Sequence, residues 1–148
     1  MRKKLNKQEV KLINDELGKK YGKEFFSRKD DVERADRFIV KNGIKLFFYK
    51  DERLIPTLRL VLEDNFLKKV TVDMGAVKFV ISGADVMRPG ITKFDEKIQK
   101  GEIVAVVDEK NSRPLAVGEM LFSGEEAERM KTGKVVKNLH HVGDGIWG

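Results

Sequence analysis

The sequence predicts an α+β protein: an N-terminal α/β unit over residues 1–70, then a mostly β pseudobarrel with two short helices over residues 71–148. Three observations predict it. The first half holds one amphipathic helix pattern followed by a strong hairpin signal. The second half holds short apolar runs at close spacing, punctuated by turn residues and two helix caps. No repeat, low-complexity tract or flexible linker lies between the halves, so they are expected to pack rigidly.

In the first half, Asn6 can cap a helix, and Glu9 three residues later completes a capping box. Val10, Ile13, Leu17 and Tyr21 then recur at helical spacing, and Gly22 is a stop. Lys7, Lys11, Asn14 and Lys19 occupy the opposite face. Residues 37–49 read as a β-hairpin, because Asn42-Gly43 suits a type I′ turn between two apolar runs. The consecutive Phe47-Phe48-Tyr49 breaks strict alternation, which predicts a strand covered on both faces. Pro56 suits the first turn of a short helix through Leu58, Val61 and Leu62. Ile13, Leu17, Phe38, Phe47 and Leu60 are expected to be buried together.

In the second half, residues 70–72 form a short strand that ends at Asp73. Asp73 can cap a helix over 75–82, and Gly83 fits its left-handed terminus. Arg88-Pro89-Gly90 reads as a turn. Strands follow over 102–107 and 115–121. Ser123 and Glu126 form a second capping box, opening a helix that should end near Gly133. Strands over 135–139 and 146–147 complete the pattern.

Composition narrows the function classes. The chain has 148 residues, 41% hydrophobic and 36% charged, with a formal net charge of +6. No apolar run approaches the roughly 20 residues of a membrane-spanning helix. The basic start is followed by polar residues where a signal peptide would be apolar, so the expected compartment is the cytoplasm. With no cysteine there is no disulfide, zinc–thiolate site or thiol nucleophile. Charge is uneven: residues 1–70 hold 19 basic and 12 acidic side chains, whereas 71–148 hold 11 and 12. A basic half favours an anionic partner, because phosphate contacts release condensed counterions.

No catalytic constellation emerges. His140 and His141 are adjacent, so on a strand they point to opposite faces and cannot share one metal. There is no phosphate-binding loop of the G-x-x-x-x-G-K-[ST] kind, and Gly143-Asp144-Gly145 is too short for a dinucleotide fingerprint. Asp73 and Asp144 read as cap and turn residues, and Ser82 and Ser123 as helix-end residues. No cofactor is expected, nor an enzyme.

The run Val72-Asp73-Met74-Gly75-Ala76-Val77-Lys78-Phe79-Val80-Ile81-Ser82-Gly83-Ala84-Asp85-Val86-Met87-Arg88-Pro89-Gly90-Ile91 resembles the opening of a PUA domain, an RNA-binding module. Gly101-Glu102-Ile103-Val104-Ala105-Val106-Val107, Ala116-Val117-Gly118 and the stretch from Asn138 to Trp147 look like the rest of it, in order. Upstream, Pro56-Thr57-Leu58-Arg59-Leu60 and Asn42-Gly43-Ile44-Lys45-Leu46-Phe47-Phe48 resemble blocks of the malignant T-cell amplified sequence family, whose N-terminal half is a pre-PUA domain. The resemblance implies a non-enzymatic factor of translation that contacts tRNA and the small ribosomal subunit in recycling or reinitiation. It also implies a protein partner like density-regulated protein. The alternative is an RNA-targeting subunit of an RNA-modification or ribosome-biogenesis complex.

Within that resemblance, the expected RNA-binding residues are Gly75, Lys78, Arg88, Pro89 and Gly90. Gly75 would let a sugar–phosphate backbone approach the helix start, where free amides favour phosphate. Lys78 would add a charge contact, and Arg88 a guanidinium beside the close-approach glycine Gly90. A plain turn at Pro89-Gly90 and a solvated Lys78 are the competing readings. Phe79 and Trp147 read as core residues.

Overall fold

The computed structural model describes residues 2–147. Met1 and Gly148, the outer limits of the two domains expected from sequence, lie outside the described residues. The chain divides into two compact units, 1–60 and 61–148.

The first unit is a five-stranded antiparallel meander with one long helix. Its strands are β1 (Arg2–Lys4), β2 (Val32–Ala35), β3 (Phe38–Lys41), β4 (Ile44–Lys50) and β5 (Arg53–Pro56), paired in that order. Helix α1 (Lys7–Tyr21) connects β1 to β2. Its ends match the sequence signals: Asn6 and Glu9 form the capping box, and Gly22 closes the helix at φ +74°. The β3–β4 turn also matches, with Asn42 at φ +50° and Gly43 at φ +85°, positive at both positions as a type I′ turn requires. Leu46, Phe47 and Phe48 are all buried, so both faces of β4 are covered.

Phe47 is where α1 meets the sheet. The rings of Tyr21, Phe25 and Phe26 lie 6.4, 5.0 and 6.3 Å from its centroid, two of them edge-on. Leu17, on α1 itself, is fully buried, whereas Ile13, Phe38 and Leu60 are only half-buried. Phe38 instead carries the Lys45 ammonium 4.2 Å from its ring centroid. Pro56 does not open a helix: it is the last residue of β5, opposite Phe47. The helix that follows, α2 (Leu58–Glu63), starts after Thr57, whose hydroxyl donates to the Lys45 carbonyl at 2.8 Å. Strands β1, β2 and β5 have no clear apolar alternation and form through their neighbours.

The second unit is a six-stranded pseudobarrel in the order β7–β11–β10–β9–β6–β8. Its strands are β6 (Lys69–Val72), β7 (Val86–Met87), β8 (Ile91–Phe94), β9 (Ile103–Asp108), β10 (Pro114–Met120) and β11 (Lys134–His141). Among the described residues only the β6–β9 pair is parallel. Helix α3 (Met74–Val80) joins β6 to β7, and α4 (Gly124–Arg129) joins β10 to β11. Val70, Val72, Val104, Val106, Met120 and Val136 form the centre of the core. Among the described residues no helix is long and apolar enough to cross a membrane.

Three expectations change here. Helix α4 stops at Arg129, ahead of Gly133, because Met130 turns to an extended backbone. Strands β7 and β8 are additions, made by pairing with β11 and β6. Residues 146–147 form a turn rather than a strand. The Asp144 carboxylate gathers it, accepting from the N–H groups of His141 at 2.8 Å and of Ile146 and Trp147 at 2.9 Å. Buried His140 adds Nδ1 at 2.8 Å.

Burial pushes the Asp144 carboxyl up, but its hydrogen bonds to His140 and to the backbone of His141 and Trp147 outweigh this and hold it below its ordinary value. A carboxyl held low in the folded state contributes stability above its unfolded value, about 4, and that stability is lost as pH falls through the folded value. Asp144→Asn should therefore be less stable than wild type by about 1–3 kcal/mol at pH 7. Urea titrations should show the gap closing below about pH 4. Phe47→Ala should cost about 3–5 kcal/mol of urea stability.

Candidate nucleic-acid interface

Helix α3 carries the residues singled out in the sequence. Asp73 starts it: its backbone is extended, and its Oδ1 accepts from the Ala76 N–H at 2.9 Å. The Asp73 N–H donates to the Gly90 carbonyl at 2.9 Å, tying the helix start to the β7–β8 connection. Gly90 is pressed against the helix, since a Cβ there would lie 3.0 Å from that of Ala76. Gly75, by contrast, is exposed; a Cβ there would meet only Asp73 Oδ1, at 3.4 Å. An anion approaching the helix start meets the Asp73 carboxylate, which already occupies one of its amides.

Two of the five candidates thus meet at this end of α3, Gly75 on its outside and Gly90 beneath it. Lys78 is exposed one turn along, with its ammonium 5.2 Å from the centroid of the Phe79 ring. Pro89 is exposed within a 3₁₀ turn formed by Arg88–Gly90. Arg88 turns the other way. Its Nε donates to the Ala127 carbonyl at 2.8 Å, Nη1 to Ile91 at 3.0 Å and Nη2 to Glu128 at 3.3 Å. The guanidinium therefore sits on the carbonyl end of α4, where a cation is favoured, and 5.4 Å from the Phe94 ring.

Sequence reasoning missed Phe79. It is 58% exposed, with Met74, Ile81 and Met87 also exposed around α3 and β7. The helical period carried the signal. Val80 is buried and Ala76 and Val77 pack against the core, which turns Lys78 and Phe79 outward. The far end of the helix is equally fixed. Asn138 donates from Nδ2 to the carbonyls of Val80 and Ala84, both at 3.0 Å, and its N–H donates to Asp85 Oδ1 at 2.9 Å. Gly83, at φ +96°, brings the chain under the His141 ring, whose Nε2 would lie 3.0 Å from a Cβ at that position. An exposed aromatic on a doubly anchored helix, with a cation over it, can stack a base and contact its phosphate. Electrostatically the second unit is nearly neutral, with 13 basic and 14 acidic residues in 61–148, while 1–60 hold 17 and 10.

A six-stranded pseudobarrel with a short helix after its first strand and a helix before its last is the architecture of a PUA domain, and the PUA domain family matches residues 68–142. An uncharacterized protein of Methanocaldococcus jannaschii is 44% identical over 150 residues, covering 97% of this chain and 93% of that one. Translation machinery-associated protein 20 of Saccharomyces cerevisiae is 38% identical, covering 72% of this chain and 62% of its own length. Malignant T-cell-amplified sequence 1 of Danio rerio is 40% identical, with 72% and 61% covered. The chain thus spans about three fifths of these eukaryotic relatives. Among solved structures, a hypothetical protein of Pyrococcus horikoshii matches with a TM-score of 0.86 at 35% identity, covering 99% of this chain and 98% of that one. An H/ACA ribonucleoprotein bound to a substrate RNA matches at TM-score 0.53 and 25% identity, over 67% of this chain and 31% of that one. The chain belongs to the malignant T-cell amplified sequence family of PUA-domain proteins.

Arg88→Gln removes donors from three backbone carbonyls at once. We expect a loss of about 1–3 kcal/mol of stability, read as a lower urea midpoint.

Proposed function

We propose that this protein is a non-enzymatic RNA-binding factor of translation that contacts tRNA and the small ribosomal subunit, with Lys78 and Phe79 on α3 as the principal RNA contacts of its PUA domain. In this reading residues 71–148 bind RNA and residues 1–70 form a pre-PUA docking unit. The observation that carries it is Phe79, a large aromatic left 58% exposed on a helix held at both ends. Gly75 leaves the approach to that helix open, Gly90 seats it, and Pro89 lies exposed beside it. Arg88 acts by positioning α4 rather than by touching RNA. The name of the yeast relative, translation machinery-associated protein 20, supports the setting in translation. A recycling or reinitiation role, a cytoplasmic location and a partner like density-regulated protein belong to the same proposal and rest on the family.

A second reading, an RNA-targeting subunit of an RNA-modification complex, is favoured by the likeness to the H/ACA ribonucleoprotein. Sedimentation separates the two: a translation factor co-sediments with small ribosomal subunits, and persistent absence from them favours the second.

The RNA surface itself is tested by tRNA affinity across a salt series. Phe79→Ala should weaken binding by about 1–3 kcal/mol, roughly 5- to 150-fold, with the log–log salt slope unchanged. Lys78→Gln should reduce the slope by about 0.7–0.9. Folded variants that both bind like wild type would place the RNA surface elsewhere.

A further inference from the structure

The first unit holds an open groove of about 1370 Å³ between α1 and the segment 22–31. Its walls are preformed. Asn14 on α1 donates to the Phe26 carbonyl at 2.8 Å and accepts from the N–H groups of Phe25 and Phe26 at 3.2 and 3.1 Å. Lys41 Nζ holds the Phe25 carbonyl at 3.0 Å from the sheet side. The far wall is turned by Asp30, whose Oδ2 accepts from the Ser27 N–H at 2.7 Å.

The groove's charge is lopsided. Lys4, Lys7, Lys11, Lys19, Arg28 and Lys29 line it, all exposed and none ion-paired with a described residue. Lys7 and Lys11 lie one helical turn apart, about 5–6 Å between Cβ atoms, so they form a ridge of charge along one wall. Four carboxylates also line the groove: Asp15, Glu24, Asp30 and Asp31. Asp30 is already engaged by Lys41 at 3.4 Å and by the Asn42 amide at 3.2 Å. That leaves a positive excess facing solvent.

Size and lining select the occupant. The space exceeds the roughly 300–1,000 Å³ of a small-molecule pocket and is open to solvent. Protein docking sites are centred on aromatic or aliphatic anchors, but the apolar lining here is withdrawn, with Phe26 buried and Leu5 and Val10 half-buried. A polyanion needs no such anchor. The whole positive excess of the chain also lies in residues 1–60.

We propose that this groove is a second RNA-binding surface, one that grips a sugar–phosphate backbone through Lys7, Lys11 and Arg28 without reading bases. It rests on the RNA-binding reading above and adds to it a sequence-independent electrostatic grip separate from Phe79. The test uses the full chain and a tRNA transcript across a salt series, with circular dichroism to confirm folding. In the triple variant Lys7→Gln, Lys11→Gln, Arg28→Gln, the log–log slope should fall by about 2–3, and affinity at 0.15 M salt by roughly 50- to 150-fold. A control with the same charge loss outside the groove, Lys20→Gln, Arg37→Gln, Lys50→Gln, should keep the wild-type slope. Equal slope losses in both variants would reduce the effect to net charge and overturn the groove. An unchanged slope in the groove variant, while Phe79→Ala still weakens binding, overturns the groove and leaves the α3 reading intact. Groove substitutions that spare binding to tRNA and to protein-free small-subunit rRNA but abolish small-subunit sedimentation would make it a protein-docking surface. No binding of wild type to tRNA or small-subunit rRNA would remove the reading and the groove together.

Discussion

The Asn138 side-chain amide holds the far end of α3. One NH₂ group donates to two carbonyls, that of Val80 at the last residue of the helix and that of Ala84 in the loop after it. Its backbone N–H takes Asp85, so the helix, the loop after it and β11 are bound at one residue. This depends on an irregularity in the neighbouring strand. The β10–β11 register slips between Val117 and Gly118, and Gly118 faces Asn138. A Cβ at Gly118 would lie 2.8 Å from the Lys137 carbonyl oxygen and would overlap the Val136 side chain, so only glycine fits. At the near end of α3, the Asp73 cap and the Gly90–Ala76 contact do the corresponding work. A helix of seven residues has little stability of its own, so these ties decide which side chains it turns outward.

What it turns outward is an aromatic ring and an ammonium on an otherwise neutral domain. A base stacked on Phe79 gains from area and polarisability, which salt barely affects. A backbone held by lysines gains from counterion release, which salt removes. The two contributions would be separable in one titration, because Phe79 belongs to the second unit while the positive excess lies in the first. Their different salt dependence would let the protein hold RNA loosely by its backbone while a stacked base sets residence. Arg88 illustrates the converse. Its charge is spent on backbone carbonyls, so it stabilises the scaffold.

Legibility followed sequence distance. Both capping boxes, Asn6 with Glu9 and Ser123 with Glu126, involve partners three residues apart and could be read directly. So could the turn at Asn42-Gly43, because its two positive φ angles are a property of the pair. Strands β1, β2, β5, β7 and β8 could not, because each is defined by a partner rather than by its own few residues. Ile146 and Trp147 look like strand residues, but Asp144 offers the chain more hydrogen bonds in a turn. At the candidate interface the glycines and Lys78 were visible from local pattern. Phe79 was hidden because its apolar neighbours suggested a core, and the outward turn depends on which two of them, Val77 and Val80, face the barrel. The engagement of Arg88 was hidden because two of its three acceptors lie 39 and 40 residues away.

The most direct test of the central claim is photocrosslinking of the full chain to tRNA, with mass spectrometry of the attached peptides. The account predicts adducts on the peptide that carries Phe79. Adducts confined to other surfaces, such as the loop 108–113, with none on α3, would contradict it.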